Sequence, residues 1–162
     1  MPETVLVTGG SGFLGRHVVE RAREKGYNVL APRSAEFNLE TGAGVAQYME
    51  EARRYYGSID VIIHSAAYYG GIGINKKEPA TIFYKNIQMA LNVFEAAKAH
   101  GVQKVLPIGS ACAYPGKLTG DLKEEDFWEG KLHESVEAYG ISKKIQQVGQ
   151  QAYYNQYGIT SN

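Results

Sequence analysis

The sequence predicts a doubly wound α/β fold, a parallel sheet covered by helices on both faces, from three observations. Four short apolar runs alternate with four helical stretches along the chain. The first run meets the first helix through a turn holding three glycines. The 162 residues are 44% hydrophobic and 21% charged, which suffices for one core and one domain.

The first apolar run, Thr4–Val7, leads into "VTGGSGFLGR", with Gly9, Gly12 and Gly15 at three-residue spacing. Glycine admits positive φ and close approach to the backbone, at an entropic cost that an ordinary loop avoids. The residues that follow place Leu14, Val18 and Ala22 four apart, with His17, Arg21 and Lys25 mostly on other faces. That is the pattern of an amphipathic helix near 13–25 packed on a sheet. A structural turn would use the same glycines. The order strand, turn, helix favours a dinucleotide site of Rossmann-like type instead, because the free N–H groups and positive dipole end of the helix can hold a pyrophosphate.

The later elements repeat the alternation. Strands are expected at Tyr27–Ala31, Asp60–His64 and Lys104–Ile108, and helices near 43–56, 79–99 and 136–157. Strands separated by helices pair in parallel, and the expected order is 2-1-3-4. Gly116 to Glu137 mixes glycine, charge and one Trp, and reads as a long loop with a short helix. After the last helix, "GITSN" looks like a turn into a further strand. A doubly wound sheet continues at this point, so residues 1–162 read as an incomplete dinucleotide-binding domain, a fragment or remnant of a longer enzyme without its substrate domain.

Composition narrows the function classes. Lys+Arg and Asp+Glu are equal at 17 each, so no basic field recruits nucleic acid. No run of about 18 apolar residues is present to span a membrane. A single Cys excludes an intramolecular disulfide and a cysteine-based zinc site, and "MPETVLV" enters a strand instead of a leader, so a cytoplasmic location is expected.

Candidate chemistry lies where strands end. The fourth strand runs into "IGSACAYP", with Ser110 and Cys112, and "AYGISKK" sets Tyr139 four residues before Lys143 on one helical face. Tyr, Lys and a Ser from another strand end can form a proton-transfer unit. To act as a base near neutral pH, a Tyr of reference pKa about 10 must fall by roughly 3 units, or about 4 kcal/mol. One ammonium at about 5 Å in an effective dielectric near 20 contributes roughly 3 kcal/mol, so Lys143 nearly suffices, and a cationic nicotinamide could supply the rest. By chance alone, an i,i+4 Tyr–Lys pair is common in a chain with 12 tyrosines.

"TGGSGFLG", "HSAA", "GSACAYP" and "YGISK" resemble, in order and spacing, the extended short-chain dehydrogenases/reductases that act on nucleotide sugars, and the resemblance covers essentially the whole chain. Within that family, "AAYYGGIGIN", the Cys of "GSACAYP" and "QQAYYNQYGIT" look most like the branch that epimerises and then reduces GDP-4-keto-6-deoxymannose. The GDP-mannose 3,5-epimerising branch is the close competitor. The resemblance implies that Gly9, Gly12 and Gly15, with Phe13 and Leu14 between them, hold the pyrophosphate. It makes Tyr139 the general acid of reduction, Lys143 its tuner and grip on the nicotinamide ribose, and Ser110 a donor to the sugar C4 oxygen. Cys112 becomes one half of the epimerising acid/base pair. The partner in the family is a His farther along; His17 and His100 read as helix-surface residues, His64 as a strand end beside the cofactor and His133 as loop. On sequence alone Cys112 is equally readable as a small buried hydrophobe.

Cofactor choice rests on "LAPRSAEFNL" after the second strand. An acidic residue there would take the ribose 2′-OH and signal NAD; Arg33 favours a 2′-phosphate, hence NADP(H) over NAD(H). Glu36 follows closely and a surface Arg gives the same pattern, so both alternatives stay open here. Asn38 and Leu39 resemble the adenine-contacting pair of the family, and Ala66 and Ala67 its loop under the cofactor. A rival of another class is a dinucleotide-binding module without turnover. Finally, Phe83, Ile87, Leu91 and Phe94 on one helix, flanked by Ala90, Val93 and Ala97, and Ile145, Val148 and Ala152 on another, exceed what one sheet face needs. Family members pair through these helices, so a homodimer through 79–99 and 136–157 is expected.

Overall fold

In a computed structural model, residues 2–161 are described; Met1 and Asn162, which begin "MPETVLV" and end "GITSN", lie outside the described residues. Four parallel strands, β1 (Thr4–Thr8), β2 (Asn28–Leu30), β3 (Val61–His64) and β4 (Lys104–Pro107), form one sheet in the order β2-β1-β3-β4. This is the expected order. Five helices accompany them: α1 (Phe13–Glu24), α2 (Gly42–Tyr56), α3 (Ile72–Lys77), α4 (Pro79–His100) and α5 (Glu137–Tyr157). The sequence reading located all of these elements except α3, whose six residues are too few to show a helical period.

Side chains alternate across the sheet. Leu6 and Ile62 enter a large core with Val45, Met49, Val93, Phe94 and Val105 beneath α2 and α4. Val5 and Val7 turn to the opposite face, where Val19 of α1 covers them and Val29, Val61 and Ile63 stay partly buried. Each fully buried side chain of this size contributes about 1.5–3 kcal/mol, so the first face carries most of the hydrophobic stabilisation.

Two helix faces differ from expectation. α1 buries Gly15, Val19 and Ala22, while Leu14 is exposed, because Gly15 must face the turn behind β1 and this rotates the helix by one position. On α4, Phe94 turns inward and stacks on Tyr153 of α5 at 5.0 Å, and Ala90, Val93 and Ala97 join the core. Only Phe83, Leu91 and the partly covered Ile87 remain on the outer stripe.

The segment after β4 holds three short 3-10 turns, Ala111–Ala113, Glu124–Trp128 and Glu134–Val136, tied by a Pro115–Leu132 bridge. Beyond α5, Thr160 pairs in parallel with Lys104: its carbonyl accepts from the Val105 amide at 2.9 Å, and its own amide donates to Gln103. Within "GITSN", Thr160 therefore sits beside β4 in one parallel bridge.

Candidate active site

At the C-terminal edge of the sheet, the turn after β1 is shaped by two glycines. Gly9 has φ of +68°, and a Cβ there would fall 2.8 Å from the Ala66 backbone. A Cβ on Gly15 would lie 2.0 Å from the Gly9 carbonyl oxygen, so α1 can start this close to β1 only without one. Gly12 caps α1 in extended geometry without a side-chain partner, which leaves the first amides of α1, those of Phe13 and Leu14, directed out of the helix end. Such amides attract an anion.

Beneath the turn, β1 and β3 end in a polar lock. Thr8 Oγ1 accepts from the Ala66 amide at 3.2 Å and shares a 2.8 Å hydrogen bond with His64 Nδ1. His64 is 2% exposed, and burial, reinforced by the Lys143 charge, pushes its pKa down to about 3. The imidazole is thus a neutral structural group buried at the end of β3.

A 340 Å³ cleft opens beside this lock, lined among others by Gly9, Ser34, Asn38, Leu39, Ala66 and Ala67. Five of the proposed cofactor residues therefore share one hollow. Leu39 is buried, and Asn92 of α4 donates to its carbonyl at 2.8 Å. The Asn38 carboxamide oxygen takes the Glu40 amide at 2.9 Å. Arg33 sits exposed at the rim, and none of the described ion pairs involves it. Glu36 accepts the Arg33 amide at 2.9 Å through one carboxylate oxygen. A glycine cradle without Cβ atoms, outward amides and a hollow with a free guanidinium at its edge suit a phosphorylated dinucleotide.

The second group gathers where β4 ends. Ser110 caps the 111–113 turn, its hydroxyl accepting the Cys112 amide at 3.1 Å. α5 approaches so closely that a Cβ on Gly140 would lie 2.2 Å from the Cys112 carbonyl, which brings Tyr139 onto the Cys112 loop. Tyr139 is 8% exposed; burial first, then the nearby Cys112 and Tyr69, push its pKa up to about 12, while a hydrogen bond with Ser110 opposes this. The expected lowering by Lys143 is not what the geometry gives. The Lys143 Nζ donates to the Ile108 carbonyl at 2.8 Å and to Gln146 Oε1 at 3.1 Å, and lies 5.7 Å from the centre of the Tyr139 ring. Burial lowers the Lys143 pKa to about 8, which weakens the charge it could lend. In this arrangement Tyr139 is a protonated phenol, suited to donate a proton.

Ser110, Cys112 and Tyr139 thus lie at one end of the sheet, while the Lys143 ammonium, one turn along α5, is held on Ile108 and Gln146. Cys112 is half-buried, not enclosed as a core hydrophobe would be. Tyr69 was missed: its ring lies on that of Tyr139 at 4.3 Å, and its hydroxyl is 4.0 Å from Cys112 Sγ. Its sequence signal is the aromatic pair before "GG" in "AAYYGG", and nothing in that pattern says which tyrosine turns inward. His17 and His133 are exposed and His100 half-buried, all on the elements expected for them.

The profile of the NAD dependent epimerase/dehydratase family matches residues 5–161. The chain belongs to that family. It is 33% identical over 141 residues to the GDP-L-fucose synthase of Azorhizobium caulinodans, covering 87% of this chain and 44% of that one. It is 28% identical over 171 residues to a GDP-mannose 3,5-epimerase of Oryza sativa subsp. indica, covering 96% and 43%. Among solved structures, the NADP-bound GDP-L-fucose synthetase of Naegleria fowleri superposes with a TM-score of 0.82 at 26% identity, over 95% of this chain and 45% of that one. The chain spans under half the length of the curated relatives it matches. No described helix is long and apolar enough to cross a membrane.

Proposed function

We propose that residues 1–162 form the dinucleotide-binding domain of an NADP(H)-dependent GDP-sugar epimerase/reductase, acting as a GDP-L-fucose synthase does on GDP-4-keto-6-deoxymannose. The observation that carries this is the half-buried Cys112 thiol beside a buried, protonated Tyr139 phenol at the end of β4. A reductase alone needs only the phenol. A carbon next to a ketone also requires a proton carrier at its own position, and a thiol of reference pKa about 8.5 can serve.

When bound, NADP(H) supplies the hydride. Gly9, Gly12, Gly15 and the amides of Phe13 and Leu14 hold its pyrophosphate; Asn38, Leu39, Ala66 and Ala67 line its adenosine end; Arg33 meets the 2′-phosphate. The exposed Arg33 guanidinium on that turn supports NADP(H) over NAD(H). Ser110 and Tyr139 would address the sugar oxygen, Tyr139 giving its proton as charge develops there, and Lys143 would leave the Ile108 carbonyl to grip a ribose hydroxyl.

The exposed Phe83 and Leu91 on α4, with Ile145 and Val148 on α5, support a homodimer through these helices. A cytoplasmic setting agrees with the single cysteine.

The test is to incubate the chain with GDP-4-keto-6-deoxymannose in deuterated buffer, with and without NADPH. Exchange at the carbons flanking the ketone, lost in Cys112→Ser, supports the reading; exchange untouched by Cys112→Ser removes Cys112 from the chemistry and leaves a plain reductase or 4-epimerase. The second reading, a cofactor-binding module without turnover, is favoured by Lys143 being tied to Ile108 and Gln146, away from Tyr139. NADPH binding without exchange or reduction would select it.

A further inference from the structure

Tyr69 lies between the two proton-bearing side chains of the site, and its position is enforced from both sides. Asn86 of α4, 6% exposed, accepts the Tyr68 amide at 3.0 Å and donates to the Tyr68 carbonyl at 2.8 Å. Asn75 of α3, 4% exposed, donates to the Gly70 and Gly71 carbonyls, each at 3.2 Å. Two buried carboxamides therefore grip the backbone just before and just after Tyr69. Yet the Tyr69 side chain itself is 47% exposed, which is a large apolar ring to leave at the surface without a use.

We propose that Tyr69 is a positioning residue for Cys112: its ring rests on Tyr139 while its hydroxyl donates a hydrogen bond to the Cys112 sulfur, stabilising the thiolate once the thiol proton has passed to solvent or substrate. The 4.0 Å separation is the outer reach of a hydrogen bond to sulfur, and a negative sulfur draws a donor closer. Burial and the adjacent sulfur both hold the Tyr69 phenol protonated above its ordinary range, so it is a donor and not a competing anion. The other titratable group facing the sulfur is Tyr139 of α5, likewise protonated; Lys143, one turn on, keeps its ammonium on the Ile108 carbonyl. This inference names a role within the epimerising site proposed above, and rests on that reading for its biological purpose.

The test needs neither turnover nor cofactor, because Cys112 is the only cysteine of the chain and iodoacetamide reports on it alone. The alkylation rate is followed from pH 6 to 10 on the 162-residue chain, on Tyr69→Phe and on Tyr69→Leu, with circular dichroism to verify folding. At pH 7 both variants should react about threefold to tenfold more slowly than the parent, with the gap narrowing as the pH is raised. Equal rates at pH 7, or faster ones as expected of a ring that merely shields the sulfur, overturn the proposal. Tyr69→Leu keeps the test open should Tyr69→Phe not fold. Failure of deuterium exchange in the substrate assay would strike the epimerase reading and leave this alkylation result standing, so the two failures are distinguishable.

Discussion

The two ends of the cleft are built from different materials. At the β1 end, the cleft is built mainly from backbone: a turn at φ of +68°, a helix start that tolerates no Cβ, and a neutral Thr8–His64 lock. At the β4 end it is side chains, Cys112 half-buried on a 3-10 turn and Tyr139 buried on the first turn of α5. The first end can hold a ligand in one geometry but offers no proton; the second can move protons but depends on neighbours from three elements. A backbone site fails by misfolding, and a side-chain site fails by losing chemistry while folding normally.

The largest expected effect breaks the second end alone. Tyr139→Phe should reduce hydride transfer to a GDP-4-keto sugar by about 10²-fold to 10⁴-fold, as expected for a lost general acid, with NADPH affinity within about twofold of the parent. Stopped-flow NADPH oxidation and a fluorescence titration on the same samples check it. Gly15→Ala does the reverse. A methyl 2.0 Å from the Gly9 carbonyl forces α1 off β1, which should cost about 3 kcal/mol in a urea melt and weaken nucleotide binding with it.

His64 sharpens the comparison through pH. Its pKa is about 3 folded against 6.5 unfolded, so below pH 6.5 the unfolded chain binds a proton that the folded chain refuses. Stability is therefore full above pH 6.5 and falls as pH drops toward 3, by about 2 kcal/mol at pH 5. His64→Gln should flatten that acid limb in denaturant melts across pH 4 to 8. The smallest effect is at the rim: Arg33→Ala should weaken NADPH binding about tenfold and leave NADH within about twofold, a ratio read by fluorescence titration.

What the sequence disclosed follows the same division. Sheet order, four helices and the glycine turn were readable because they rest on local periodicity and on backbone demands that only glycine meets. The face of α1 was misread by one position, since the contact that orients it, Gly15 against Gly9, leaves no apolar signature. The meeting of Ser110 and Tyr139 was readable from strand-end placement and helical spacing, whereas the role of Cys112 came only through motif resemblance; composition and spacing alone left it equal to a core residue. The direction of the Tyr139 shift was misjudged because the sequence shows a Lys one turn away but neither the burial of the phenol, which raises its pKa, nor the Ile108 carbonyl that captures the Lys. Tyr69 and α3 were invisible, the one fixed by a loop conformation and the other too short to show a period.

The carboxamide grip on the Tyr68–Gly71 loop has a dynamic consequence. Loops without regular structure ordinarily exchange their amide hydrogens quickly, since little must open to admit water. Here the Tyr68 amide is bonded to Asn86, a side chain seated in the core that also bonds the Ile82 carbonyl. Its deuteration should keep pace with α4 and not with the surrounding loop, marking a stretch of irregular chain that opens only when the helix beneath it does.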